Sequence, residues 1–204
     1  MIAIVDYGMG NRRSVEKALE HVGARSVITS DHERIRGADG VILPGVGAFP
    51  EAMRNVAALG LDEVLRERAA SGAPLLGICL GQQLLFERTD EHEGAAGLAV
   101  LPGEVTPLRA PKLPHIGWNL VTFERGSALT EGLGEAAAFY HVHSLACRPS
   151  ESGDVVGRGE YGERFASIVE RGGVYGAQFH PEKSSRDGLA LLANFARVCA
   201  RVAA

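Results

Sequence analysis

Cysteine is scarce in this 204-residue chain: Cys79, Cys147 and Cys199 are the whole set, and they follow no framework spacing. So odd and scattered a set excludes a disulfide-built scaffold and points to a reducing compartment. Basic runs are missing as well. Lysine and arginine total 21 against 25 aspartates and glutamates, a formal net charge of -4. Phosphate backbones are bound through a basic footprint, so nucleic acid is a poor default partner. No stretch approaches the ~18 consecutive apolar residues of a membrane span. The opening Met1-Ile2-Ala3-Ile4-Val5-Asp6 lacks the basic and long apolar regions of a secretory signal. A cytoplasmic location is the expectation. Wholesale disorder is excluded by 46% apolar and 23% charged residues. A chain of this size buries roughly 70% of its unfolded surface, so no metal or disulfide is needed to hold it together.

What is present is alternation. Residues 2–5, 26–29, 40–43 and 73–79 are short apolar runs of buried-strand type. Between them, residues 12–22, 49–70 (with a break near Gly60) and 80–88 carry apolar residues at helical spacing. Strands alternating with helices imply an α/β fold, with a parallel sheet covered on both faces. From about Gly103 the pattern changes. Residues 104–108, 118–123, 137–147, 154–158, 165–170 and 173–179 read as strands separated by Gly, Pro and charged turns. They predict an antiparallel or mixed extension of the same sheet. A helix over 186–202 closes the chain, and residues 1–204 read as one domain.

Three segments carry chemistry. In Leu75-Leu76-Gly77-Ile78-Cys79-Leu80-Gly81-Gln82-Gln83 a strand runs through Gly-x-Cys-x-Gly into a helix. This is the cysteine counterpart of a nucleophile elbow. Only residues without bulk fit so sharp a turn, hence the glycines. The turn lifts Cys79 above the sheet at a helix N-terminus, a setting that favours the nucleophilic thiolate. It also leaves the Leu80 N–H free for a developing oxyanion. The alternative is a buried core cysteine between glycines. In Gln178-Phe179-His180-Pro181-Glu182-Lys183-Ser184 a strand ends at a histidine with a carboxylate two residues on. A cysteine nucleophile needs such a base, and a third group to orient it. Alone, His-Pro-Glu reads as a surface turn; paired with Gly-Ile-Cys-Leu-Gly upstream, it reads as the base and its orienting carboxylate. Pro44-Gly45-Val46-Gly47-Ala48-Phe49 is a Gly-rich loop between strand and helix. Such a loop can aim backbone N–H groups at an anion, although many α/β proteins carry one for steric reasons only. The segment from Asp6 to Asn11 lacks a full dinucleotide fingerprint, so no cofactor is expected. His141 and His143, with Cys147 nearby, form a weak zinc-like pattern. No second ligand cluster accompanies it, so no metal is expected either.

Together with Ile4-Val5-Asp6-Tyr7-Gly8-Met9-Gly10-Asn11, Pro114-His115-Ile116-Gly117-Trp118-Asn119 and Val142-His143-Ser144, these blocks resemble the class I (triad) glutamine amidotransferases. Within them they resemble the glutaminase subunits of imidazole glycerol phosphate synthases. Pro-Gly-Val-Gly and the Pro-His-Ile-Gly-Trp-Asn block carry the finer resemblance.

The resemblance implies a three-layer fold and a Cys79–His180–Glu182 triad that cleaves glutamine through a γ-glutamyl thioester. It implies an oxyanion hole from Leu80 N–H and a backbone N–H at Val46 or Gly47. Gln83, Glu91, His143 and Ser144 would bind substrate. A heterodimer is implied with a (β/α)₈ cyclase, which receives the ammonia and forms imidazole glycerol phosphate and an aminoimidazole carboxamide ribotide. Asn11, Trp118, Tyr140 and Lys183 would lie at or near that interface; as a residue, Trp118 also reads as a core aromatic. Two positions depart from the pattern: Gln82 stands where the family has Met, and Leu145 where an aromatic follows His-Ser. The competing readings are another class I amidotransferase subunit, a stand-alone γ-glutamyl hydrolase, and a regulatory module with a dead site, against which all three triad members are present.

Overall fold

The computed structural model describes residues 1–202. Its first half delivers the expected alternation. Strands β1 (Ile2–Val5), β2 (Ser26–Thr29), β3 (Gly40–Gly45) and β4 (Leu75–Cys79) are separated by α1 (Arg12–His21), α2 (His32–Arg36), α3 (Phe49–Ala58) and α4 (Leu61–Ala70). Gly60, at φ 64°, divides α3 from α4 where the sequence predicts a break. The five-residue α2 was not anticipated; Asp31 caps it by accepting from Arg34 N–H at 2.8 Å.

The second half contributes α5 (Leu80–Leu84), β5 (Arg88–Thr89), β6 (Ala95–Ala96), β7 (Gly103–Pro107), β8 (His115–Phe123) and β9 (Ala136–His143). It continues with β10 (Leu145–Pro149), β11 (Val155–Tyr161), β12 (Glu163–Arg171), β13 (Val174–Ala177) and α6 (Ser185–Val202). The strands join in one mixed sheet ordered β2-β1-β3-β4-β13-β12-β10-β7-β5-β6, with β11, β8 and β9 branching from β12. Strands β2, β1, β3, β4 and β13 run parallel, and the rest is mainly antiparallel.

Side chains alternate along the parallel strands and divide the core in two. Ala3, Val5, Val41, Leu43 and Leu75 pack with Phe49, Val56, Leu61 and Leu65 from α3 and α4. Ile2, Ile4, Ile42, Leu76 and Ile78 pack with Val15, Leu19, Leu191 and Phe195 from α1 and α6. The result is three layers, as expected.

Two of the differences from the sequence reading bear on the site. The helix expected over 80–88 stops at Leu84. The carbonyls of Leu84, Leu85 and Phe86 accept instead from the N–H groups of residues 98–101, at 2.8 to 3.1 Å. The strand expected over 137–147 is two strands, β9 and β10, that part at Ser144. The Ser144 carbonyl there turns to accept from Leu108 N–H at 2.8 Å.

Candidate active site

Strand register explains why distant segments meet. Strand β4 lies between β3 and β13, with Gly45 opposite Cys79 and Ala177 opposite Ile78. The carboxyl ends of all three strands therefore open on one crevice, where open parallel sheets bind ligands. Cys79 stands at the end of β4 with φ 55° and ψ −112°. A positive φ at a non-glycine residue is strained, and here the surrounding contacts enforce it. A Cβ on Gly77 would approach the Gly81 carbonyl oxygen to 2.6 Å, and one on Gly81 the Leu43 oxygen to 1.8 Å. Both glycines of the elbow are thus sterically obligatory. Gly45 is similarly confined, because its Cβ would meet Tyr7 Oη at 2.7 Å.

A cavity of about 200 Å³ lies over the elbow. Cys79, His180, Gln83, Leu80 and the Val46–Gly47 loop, all site candidates from the sequence, line it together with Val142 and with Lys183, which the resemblance implied for the partner interface. His180 is held from several sides. Its backbone N–H donates to the Tyr140 carbonyl at 3.0 Å, and its own carbonyl accepts from Ser184 Oγ at 2.6 Å. Its Nδ1 bonds Glu182 Oε1 at 2.9 Å. Burial pushes the imidazole pKa down, but hydrogen bonds and charge interactions with Cys79 and Glu182 outweigh it and raise the pKa to about 10. This is the electrostatic signature of an imidazolium lodged between two acidic groups.

The remaining expected residues are placed as follows. Asn11 donates from Nδ2 to Glu182 Oε1 at 3.3 Å, so it touches the carboxylate behind His180. Glu91 lies outside the cavity wall, and its Oε2 accepts the Phe49 N–H at 2.7 Å, at the start of α3. His143 and Ser144 also lie outside that wall, whereas their neighbour Val142 is in it, its carbonyl 3.7 Å from Cys79 Sγ. Trp118 is 56% exposed, which overturns its alternative reading as a core aromatic. It stands edge-on to Tyr140, 6.2 Å away across the β8–β9 register.

One residue escaped the sequence reading. Gln178, fully buried, donates from Nε2 toward Cys79 Sγ at 3.8 Å and accepts from Gln83 Nε2 at 3.1 Å. Its signal was its place two residues before His180 on an extended segment, which sets both side chains on one side.

The ring nitrogens of the zinc-like pair are committed elsewhere. His141 bonds the Phe139 carbonyl and Ser167 Oγ, and His143 bonds the Leu145 carbonyl and His115. Among the described residues no cluster of three or more His, Cys, Asp or Glu could hold a metal ion. Nor, among them, is any helix long and apolar enough to cross a membrane.

Comparison with known proteins supplies the family. The "Glutamine amidotransferase class-I" family model matches residues 3–199. The imidazole glycerol phosphate synthase subunit HisH of Bacillus cereus (strain G9842) is 52% identical over 197 residues, 96% of this chain and 93% of its own. The subunit of the same name from Moorella thermoacetica is 53% identical over 195 residues, 95% of this chain and 93% of its own. Among solved structures, one described as a glutamine amidotransferase superposes with a TM-score of 0.78 at 21% identity, covering 98% of this chain and 100% of its own. At that identity the likeness speaks to the fold alone. With the family model and the close relatives both spanning nearly its whole length, the chain belongs to the class I glutamine amidotransferases.

Proposed function

We propose that this chain is the glutaminase subunit of an imidazole glycerol phosphate synthase, with Cys79, His180 and Glu182 as its catalytic triad. The observation that carries the reading is their geometry: the nucleophile at the end of β4 and the base just beyond β13 line one cavity, and a buried carboxylate backs the far side of the imidazole.

Cys79 Sγ attacks the side-chain amide carbon of glutamine. Charge developing on the amide oxygen is met by Leu80 N–H at the start of α5 and by a backbone N–H of the Val46–Gly47 loop. His180 holds the thiol proton and delivers it to the departing nitrogen, so ammonia leaves and a γ-glutamyl thioester remains. Water, its proton taken by His180, then releases glutamate and regenerates the thiol. Glu182 fixes the imidazole so that Nε2 faces the reacting atoms, and Asn11 steadies Glu182. Gln83 and the Val142 backbone, both in the cavity wall, hold the ends of the substrate.

Ammonia released into water becomes ammonium and is lost to a synthase, so the reading includes a partner, a (β/α)₈ cyclase forming a heterodimer. The outer face of β8 suits it: Ile116, Trp118 and Leu120 are 59%, 56% and 60% exposed, an apolar stripe beside the active-site strand β9. Aromatic and apolar residues so displayed are typical of an interface core.

The test is Cys79→Ala in the complex with the cyclase. Glutamine-dependent synthesis should be abolished while ammonia-dependent synthesis persists. Loss of both activities would mean that Cys79 is structural, and retention of both would dismiss it as the nucleophile.

A further inference from the structure

Three histidines lie buried together on β8 and β9, outside the triad. Two of them form a hydrogen-bonded chain whose direction follows from its ends. Asn119 Nδ2 donates to the Glu160 carbonyl at 2.9 Å. A carbonyl only accepts, so the amide cannot be turned around without setting two oxygens face to face. The same Nδ2 lies 3.2 Å from His115 Nε2, which therefore accepts. His115, neutral, carries its proton on Nδ1 and donates to His143 Nε2 at 3.1 Å. His143 in turn donates from Nδ1 to the Leu145 carbonyl at 2.7 Å. Every member has one role, and the order cannot be reversed.

The chain ends at the corner where β9 passes into β10. That corner carries the Val142 carbonyl, 3.7 Å from Cys79 Sγ, and part of the cavity wall. The chain begins on β8, whose opposite face is the exposed stripe of Ile116, Trp118 and Leu120. The β8–β9 ladder pairs His115 with His143 directly, and Tyr161 stacks on the His115 ring at a centroid distance of 4.1 Å. The His115 side chain thus has little freedom apart from the strand that bears it.

We propose that His115 is a positioning residue: acting through His143, it sets the 142–145 corner beside Cys79 and ties that corner to the outward-facing strand β8, so that engagement of β8 is felt at the nucleophile. This rests on the glutaminase-subunit reading above. His115 touches neither substrate nor reacting atoms.

The test uses the assembled complex with the cyclase, with active sites counted by alkylation of Cys79. His115→Phe keeps the ring and removes both hydrogen bonds. His115→Asn keeps a donor at the Nδ1 position. The expected result is at least a tenfold fall in glutaminase kcat per active site for His115→Phe, with recovery to within threefold of the parent in His115→Asn. Ammonia-dependent synthesis is expected to stay unchanged in both. If both variants keep the parent kcat and only the melting temperature moves, His115 is packing and the proposal falls; equal losses in both variants overturn it too. Should His115→Phe fail to assemble, Asn119→Ala reads the same chain from its other end, by freeing His115 Nε2 to take the proton. A parent-like kcat in that variant overturns the proposal. A parent complex that does not turn over glutamine would defeat the glutaminase reading instead, so the two failures are distinguishable.

Discussion

Gln82 is fully buried below the elbow, and its amide finds no well-formed hydrogen bond, with the weakly accepting Cys147 sulfur beside it. It packs so tightly on Gly176 that a Cβ there would meet its Cγ at 2.7 Å. An unsatisfied buried amide costs about 1–3 kcal/mol, and the resemblance places a methionine at this position. Gln82→Met, close to it in volume, should therefore unfold at higher denaturant, by about 1–3 kcal/mol of stability. A midpoint equal to or below the parent's would show that the amide is satisfied in solution. The cysteines separate by the same physics. Burial pushes the Cys147 and Cys199 thiols up to about 12, which leaves them poor nucleophiles at neutral pH, while Cys79 opens on the cavity. Cys79, His180 and Glu182 were all legible in the sequence, because each stands in a short motif whose spacing carries the chemistry. The contacts of Glu91 with Phe49 and of Asn11 with Glu182 were not. Each joins residues distant in the chain, and nothing in the local pattern of either partner announces the other.

Among the elements, the β8–β9 pair concentrates the titratable burden. Burial lowers the pKa of His115, His141 and His143, that of His143 to about 4. Unfolded histidines titrate near 6.5. Between about 6.5 and 4 the unfolded chain thus binds more protons than the folded one, and stability falls as pH falls. His180 does not offset this loss. Its folded pKa is raised to about 10, so its contribution is fully present below 6.5 and is lost only as pH rises through 10. The melting temperature should accordingly drop between pH 7 and pH 5; a flat profile over that range would contradict the neutral, buried histidines. Helix and strand existence in the first half was legible because apolar periodicity and Gly breaks agree there. The short α2 and the early end of α5 were not, since the latter depends on carbonyls captured by residues 98–101 from across a loop.

For the whole molecule, control rests on the Val46–Gly47 loop, the proposed source of an oxyanion-binding N–H. Val46 is 42% exposed and Gly47 sits at φ +110°, between the sheet-bound Gly45 and Phe49 pinned by Glu91. A segment held at both ends and free between them has room to turn a backbone N–H in or out. The isolated chain should therefore show little glutaminase activity, rising at least tenfold when the cyclase and its ligand bind; coupling free energies of about 1–3 kcal/mol accommodate such a factor. Full activity in the purified single chain would favour a stand-alone hydrolase. The apolar stripe on β8 belongs to this scale as well, because it exists only once β8 has turned its histidine face inward.

Periodicity and steric necessity are local, and for that reason residue order alone established the α/β layering, the elbow at Cys79, and the pairing of a histidine with a carboxylate two residues on. The shared cavity is a matter of register. Gly45 aligns with Cys79 across β3–β4, and Ala177 with Ile78 across β4–β13. A slip of one residue would have turned the side chains to the other face of the sheet. Long-range pairing of this kind is selected by burial on both faces at once, so only the folded chain could bring the imidazole at 180 to the sulfur at 79, or join Asn119, His115 and His143 into one line.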